Sequence, residues 1–538
     1  MSGRVQLVLH GHMPYVLHHG AWPHGEQWLY EAAFEVYLPL LELLSRRDMA
    51  LTLGLTPVLL AQLKSPRFVE GFYLYMKEQL RAVMLDKKDS DLREGALYWE
   101  RLILRRLDQF SRMNGDIVAR FVFFAQKQKL ELLSSFATHG YAPLLSRDES
   151  IAEQLAVGLE ISTNLLGYTP KGIWLPECAF APQREQGGRL RRGVDRILED
   201  AGVQFFYVED QAFVHARSEG LVLDKRFYKV DWDAVLHEPQ WAWRSLLEPH
   251  LISTVGDSST IAAFAREPEL CAQLWSADVG YPGDPLYLEF HKKSPHSGMR
   301  YWRVTDRELG MDSKKYYSPQ LAQERARLHA FHFTQKCADI LHRYSQSGRN
   351  GIITCCFDAE LFGHWWHEGV HFLEALDVEM ERKPHVEMKT GSVLLRESPP
   401  DKVVWIPECS WGAQADHRTW LTDHTTWMWK AIHNAEYRYH MIKAEVQKLS
   451  LERQAELSEI MKQFQWNFLL LQSSDWPFVI TTKGAVDYGY RRFSLHLERF
   501  ERLYSLIEKR RNRKPWSEQE HIAFQELCLY EERPLSSS

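Results

Sequence analysis

The sequence predicts an α/β protein built on a mainly parallel sheet or barrel, with a helical insertion and an all-helical C-terminal domain. Three observations carry this reading. Short apolar strands alternate with amphipathic helices over most of the first 400 residues, the pattern of strand–crossover–strand units. His10, His139, Glu177 and Asp358 each fall just past the end of an apolar strand, where such folds keep their reactive residues. Beyond Glu397-Ser-Pro-Pro-Asp401 helical periodicity takes over.

In chain order, residues 5–9 read as the first strand, 31–45 as a helix, and 51–55 as a strand running into Thr56-Pro57. Residues 68–128 are charged and helical in period (71–84, 94–110 and 117–130) with no strand between them, which marks an insertion. Strand signals return at 130–135, 172–175, 205–208 and 351–357. The expected division is a barrel domain over 1–400, a helical domain over 401–531 (helices near 420–449, 451–471 and 490–510), and a frayed tail over 532–538.

Composition excludes several classes. A net charge of −6 and a pI near 6.5 argue against a nucleic-acid partner. Seven cysteines, two of them adjacent at Cys355-Cys356, fit reduced thiols in a cytoplasm better than a disulfide framework. The N-terminus lacks the apolar core of a signal peptide, and no run of 18 apolar residues would span a membrane. The 19 tryptophans exceed what packing usually demands, and flat rings grip sugar faces.

The motifs sharpen this. Gly172-Ile-Trp-Leu-Pro-Glu177 and Gly351-Ile-Ile-Thr-Cys-Cys-Phe-Asp358 are apolar strands that end on carboxylates. A carboxylate there is costly unless paired, bonded or used, and a carboxylate pair is what sugar-cleaving chemistry needs. Trp405-Ile-Pro-Glu408-Cys repeats the Trp-x-Pro-Glu-Cys pattern of Trp174–Cys178, so the motif alone does not say which glutamate reacts. His10-Gly-His12-Met-Pro-Tyr15 reads as a structural turn, a metal site or a sugar-hydroxyl site. Ala137-Thr-His139-Gly-Tyr141 repeats its strand-then-His-Gly form and offers a further imidazole at the same rim. His367-Glu368-x-x-His371 matches the zinc-hydrolase pattern, against which stand the helix-weakening Gly369 and the frequency of chance matches among 24 histidines. Asp475, in Ser473-Ser-Asp475-Trp-Pro-Phe478, reads most simply as a helix N-cap.

Together the segments His10–Tyr15, Ala137–Tyr141, Trp174–Cys178, Trp275-Ser-Ala-Asp278-x-Gly-Tyr-Pro-Gly-Asp284, Phe357–Trp366, Trp411-Gly and Asp475–Phe478 resemble glycoside hydrolase family 57, and within it the α-1,4-glucan branching type. They occur in the family's order over residues 10–478. The resemblance implies a distorted (β/α)7 barrel whose cleft is completed by the helical C-terminal domain. It implies Glu177 as nucleophile and Asp358 as general acid/base, their carboxyl groups about 5–5.5 Å apart as retention requires, with Glu408 structural. It further implies that His10, His12, His139 and Asp475 hold sugar hydroxyls, and that Trp22, Trp28, Trp275, Trp411 and Trp420 form aromatic platforms. Neither a cofactor nor a metal is implied; the expected partner is an α-glucan such as amylose or glycogen, and the expected state a monomer.

Two departures from the pattern bear on branching. Branching members carry a loop tyrosine that covers the cleft, and the one tyrosine in 209–262 is Tyr228. Phe357-Asp358-Ala359 also stands where Tyr-Asp-Thr is usual. The expected function is 1,4-α-glucan branching in glycogen-like polysaccharide. The alternatives are a family 57 α-amylase or 4-α-glucanotransferase, a zinc hydrolase using His367, Glu368 and His371, and a non-catalytic glucan binder.

Overall fold

The computed structural model describes residues 3–229, 245–276, 278–308 and 310–530; the tail expected over 532–538 lies outside them. The barrel wall is made of seven parallel strands, numbered here in chain order: β1 (Gly3–Gly11), β2 (Leu51–Leu55), β3 (Leu130–Leu133), β4 (Gly172–Ile173), β5 (Phe205–Val208), β6 (Ala262–Ala265) and β7 (Ile352–Asp358). Nearly every residue of β1, β2, β5 and β7 is buried, which is why they read as continuous apolar runs rather than as alternating strands.

β7, β1, β2 and β3 are neighbours in that order. A single parallel bridge, Ser134 to Ile173, passes the wall from β3 to β4. β5 and β6 follow in parallel. Closure between β6 and β7 rests on one bond, from the Glu267 N–H to the Thr354 carbonyl at 2.8 Å. The remaining edge of β6 is taken by an antiparallel strand, His250–Ile252. From there the sheet leaves the barrel through Lys402–Trp405 and the hairpin Arg217–Leu223/Arg226–Lys229. This departure is the distortion of the (β/α)7 plan. It also gives residues 402–405, just past the expected domain boundary, a place in the barrel's own sheet.

Helices Pro66–Asp86, Arg93–Arg112 and Ile117–Gln126 form the insertion between β2 and β3. The helix that follows β1 runs from Glu26 to Arg46 and contains a π-helical turn, Ala33–Tyr37. At the other end of the chain, helices Thr426–Gln447, Leu451–Leu471, Asp475–Thr481, Val486–Arg511 and Glu518–Tyr530 make up the helical region.

Buried polar contacts fasten that region to the barrel. Glu436, wholly buried, accepts the N–H and hydroxyl of Ser146 and the N–H of Arg147. Glu153 accepts from Tyr439 and Lys443. The Arg492 guanidinium donates to the Tyr15 carbonyl. Hydrogen bonds to a charged group contribute about 1.5–3 kcal/mol each, and more is lost when a buried partner is left unsatisfied. Glu436→Ala is therefore expected to lower the unfolding free energy by about 2–3 kcal/mol, read as a lower urea midpoint at unchanged slope. An unchanged midpoint would mean that the contact contributes nothing to docking.

Candidate active site

The carboxyl ends of β1, β3, β4 and β7 converge on one rim. His10, the next-to-last residue of β1, stands in register with Asp358 at the end of β7. His139 follows β3 and Glu177 follows β4, and both adopt left-handed backbone at φ near +60°. Such conformations cost energy in non-glycine residues and cluster at functional sites.

Glu177 is the centre of the arrangement. Its side chain is 12% exposed, and both oxygens are met by donors from outside the barrel wall. The Trp411 indole N–H donates to Oε2 at 2.7 Å, and the Ser474 hydroxyl donates to Oε1 at 2.8 Å. The backbone N–H of Trp411 also donates to the Glu177 carbonyl at 3.0 Å. Burial pushes the Glu177 pKa up, while the Trp411 and Ser474 donors pull against that rise.

Behind Ser474 the proton positions can be deduced. Because the Ser474 hydrogen goes to Glu177, its oxygen accepts from His139 Nδ1–H, 2.8 Å away. His139 Nε2 is then bare and accepts from His10 Nε2–H at 3.1 Å. His10 Nδ1 is left unprotonated, in keeping with its having no partner. Burial, aided by the charge on His12, holds His139 well below the usual histidine range; the same two causes act on His10. Both rings are therefore neutral. His12 differs: burial opposes its charge, but Asp475 at 3.0 Å and the charges of Glu177 and Glu360 together outweigh burial, and its pKa is raised. Its other nitrogen meets the Thr56 hydroxyl at 3.0 Å.

Asp358 is pushed in the same direction as Glu177, and further. Burial comes first, and the charges of Glu360 and Glu177 follow, in holding its pKa well above the usual carboxylate range. Glu360 accepts the Tyr37 hydroxyl at 2.6 Å. Arg266, just past β6, pulls the other way on Asp358 and is itself paired with Glu209, just past β5, at 2.9 Å.

Of the residues singled out by sequence, the structure brings together His10, His12, His139, Glu177, Asp358, Trp411 and Asp475. Trp411 serves Glu177 as a donor, and its ring lies 5.1 Å from buried Trp174. Trp22 is 76% exposed, Trp275 stands beside Trp365 at 5.6 Å, and Trp28 packs on Tyr488 at 5.3 Å. Trp420 departs from expectation. It is 1% exposed and stacked on Tyr141 at 4.4 Å, so it is core and offers no face to a sugar. Tyr228 lies in the Arg226–Lys229 strand, while residues 230–244 lie outside the described residues.

The two look-alike glutamates also part. Glu408 bonds His417, which bonds Tyr141, and its neighbour Cys409 bridges to Phe180. The second motif is thus packed directly on the first as a support. The zinc reading is overturned by geometry. His367 lies before the helix Gly369–Glu381, with Glu368 at its N-cap; His367 bonds Tyr98, and buried Glu368 accepts the Leu288 N–H. The two histidines do not share a helical face. Ligand-type atoms of His12, His139 and Asp475 do lie within 4.8 Å of one another. However, the two rings are stacked face to face at 3.9 Å, and their nitrogens are committed to Thr56, Asp475, Ser474 and His10, so they do not converge on a point.

Ser474, Thr56, Glu360, Tyr37, Arg266 and Glu209 were not foreseen as site residues. For Ser474 and Glu360 a signal existed, since each lies within two residues of a singled-out carboxylate.

A barrel rim with two buried carboxyls in contrasting environments, flanked by imidazoles and indoles, defines a carbohydrate-active cleft of the two-carboxylate class. The chain belongs to glycosyl hydrolase family 57, whose model matches residues 6–407. A second model, described as 1,4-alpha-glucan branching enzyme, C-terminal, matches residues 431–527. A 1,4-alpha-glucan branching enzyme of Thermococcus kodakarensis is 38% identical over 516 residues, 94% of this chain and 73% of that one. Among solved structures, a family 57 branching enzyme from Pyrococcus horikoshii superimposes with a TM-score of 0.87 at 32% identity, covering 100% of this chain and 98% of that one. An alpha-amylase from Thermotoga maritima gives 0.80 at 28% identity, covering 98% and 97%.

Ser474→Ala removes one of the two side-chain donors to Glu177, so the Glu177 pKa is expected to move further up. The measurement is the carboxyl titration of 13C-labelled glutamate, assigned by difference with Glu177→Gln. A titration that does not move would show that Ser474 is a bystander.

Proposed function

We propose that the protein is a 1,4-α-glucan branching enzyme, which cleaves an α-1,4 bond with retention and transfers the released segment to a 6-hydroxyl of another glucan chain. The observation that carries this reading is the contrast between two carboxyls of one rim. Burial raises both, but Glu177 receives two hydrogen bonds that favour its charged form and hold that rise back, whereas burial of Asp358 is reinforced by the charges of Glu360 and Glu177, which favour its neutral form. Carboxyls whose environments push their pKa values apart divide into base or nucleophile and acid.

The chemistry follows from that division. Neutral Asp358 gives its proton to the glycosidic oxygen as Glu177 attacks the anomeric carbon, forming a glycosyl ester and releasing the leaving chain. Asp358, now a carboxylate, takes the proton of the incoming 6-hydroxyl while the ester bond breaks and the α-1,6 bond forms. His12 and Asp475 would hold sugar hydroxyls from their fixed positions. Buried His10 and His139 would act one step back, by keeping Ser474 aimed at Glu177. Trp22, Trp28 and Trp275 remain the proposed sugar platforms, and the barrel over 1–400 and helical region over 401–531 the two working domains. Free thiols at all seven cysteines suit a reducing compartment, which supports a cytoplasmic enzyme of glycogen-like polysaccharide. The likeness to an α-amylase and the Phe357-Asp358-Ala359 variation favour hydrolysis as the second reading.

On amylose the protein is expected to produce isoamylase-sensitive branch points in excess of new reducing ends. Reducing ends without branches would leave only the hydrolase reading. Glu177→Gln and Asp358→Asn should each lower the rate by at least about 10²-fold, and Glu408→Gln should leave it near that of the parent. Because neutral Asp358 is the active form, its pKa sets the alkaline limb of kcat/KM. Glu360→Gln removes a charge that raises that pKa, so the alkaline limb should move to lower pH. Movement upward, or none, would contradict the role given to Glu360.

A further inference from the structure

Beside the segment that follows Asp358, at His364, lies a second feature that the chemistry above does not use. A cavity of about 340 Å³ is lined by Trp22, Gln79, Trp99, Phe290, Lys293 and Arg300, among others, a size within the range of small-molecule sites. Its floor is rigid. Glu35 accepts from His364 Nδ1 at 2.6 Å and from the Arg300 guanidinium, and Arg300 also donates to the His364 carbonyl. Its upper wall is not committed: among the described residues, neither the Gln79 amide nor the Lys293 ammonium makes a hydrogen bond. Trp22, at 76% exposure, presents a broad apolar face at the edge. Fixed charges below, free donors at the side and indole rings around them suit sugar hydroxyls and sugar faces.

Two bonds from one turn tie this cavity to Asp358. The π-helical turn Ala33–Tyr37 sends Tyr37 to Glu360, two residues past Asp358, and Glu35 to His364. Turns of this kind are rare and are frequently found at functional sites. Gly363 makes the approach possible. Its φ is +138°, and a Cβ there would stand 1.9 Å from the Glu35 carbonyl oxygen. A second cavity, of about 320 Å³ and lined by Leu361, Trp365 and Trp275, shares Phe290 with the first. Phe290 is thus common to two cavities, one bordered by Leu361 and Trp365 just past Asp358 and the other by Trp22.

The side matters. A general acid/base serves the leaving chain and then the acceptor hydroxyl, so binding groups built onto the Asp358 segment belong to that side of the scissile bond. The groups that hold Glu177 come instead from Trp411 and Ser474. We infer that the cavity between the Ala33–Tyr37 turn and residues 290–300 is the acceptor site, which binds the α-1,4-glucan chain that receives the transferred segment. This rests on the branching reading above and adds to it where the second substrate sits.

The test uses the full-length protein with Gln79→Ala and Lys293→Ala, singly and together, on amylose with added short-chain maltodextrin as acceptor. The double variant should require about tenfold more maltodextrin to reach half its maximal branching rate, and its ratio of branch points to reducing ends should fall at low acceptor. Saturating acceptor should restore that ratio. Lys293 is exposed, so the single Lys293→Ala variant should fold normally and show a smaller shift in the same direction. An acceptor dependence and product ratio equal to the parent's would overturn the assignment while leaving branching intact. A parent that makes reducing ends but no branches would overturn both.

Discussion

The carboxylate of Glu177 is almost wholly out of water at the end of β4, and an anion there persists only if donors meet its oxygens. The barrel wall does not supply them. One comes from Trp411, beyond the last strand of the sheet, and the other from Ser474, between two C-terminal helices. The helical region is thus chemically part of the site. Its buried fastenings at Glu436, Glu153 and Arg492 have a purpose beyond stability: they set the position of a hydroxyl that must lie within hydrogen-bond reach of one oxygen. The repeated Trp-x-Pro-Glu-Cys motif serves the same constraint. Its second copy pairs with the first through Cys409 and Phe180, and so aims Trp411 back at Glu177.

Once Glu177 is charged, much of the surrounding protonation follows. The Ser474 hydrogen is spent on the carboxylate, which orients neutral His139 and then neutral His10, and leaves the positive charge to His12 beside Asp475. Across the rim burial, then the charge of Glu360 and that of Glu177, favour the proton on Asp358. Glu360 is in turn held by Tyr37 from a π-helical turn whose neighbour Glu35 builds the floor of an adjoining cavity. One turn of irregular helix therefore links the acid/base to a surface suited to a second glucan chain. That coupling is useful in a transfer reaction, where the same acid/base acts on two chains in succession.

Much of this was legible in the chain. Strands with continuous apolar runs were visible because both their faces are buried, and residues 51–55 and 205–208 are strands in the fold as the pattern indicated. β6 was not visible. Ala262-Ala-Phe-Ala has little intrinsic strand preference, and burial between β5 and His250–Ile252 decides it. The rim residues His10, His139, Glu177 and Asp358 were legible because a polar group closing an apolar run is costly and so conspicuous. Trp420 was misread for the converse reason. A tryptophan in a polar stretch can face either way, and only its stack on Tyr141 shows that it faces inward. His367 and His371 had the spacing of a shared helical face, but the helix begins between them, at Gly369.

What the sequence by itself determined is the alternation of strands and helices, the strand ends that carry reactive groups, and the presence of two carboxyls suited to glycosidic chemistry. Each is a local matter of periodicity, propensity and the cost of burying charge. Tertiary structure alone decided which of two look-alike motifs has its glutamate gripped by an indole and a hydroxyl, which histidines are neutral, and which tryptophans face solvent. Those outcomes depend on contacts between residues far apart in the chain, Glu177 with Trp411 and Ser474 above all, and no local pattern encodes a distance between such segments.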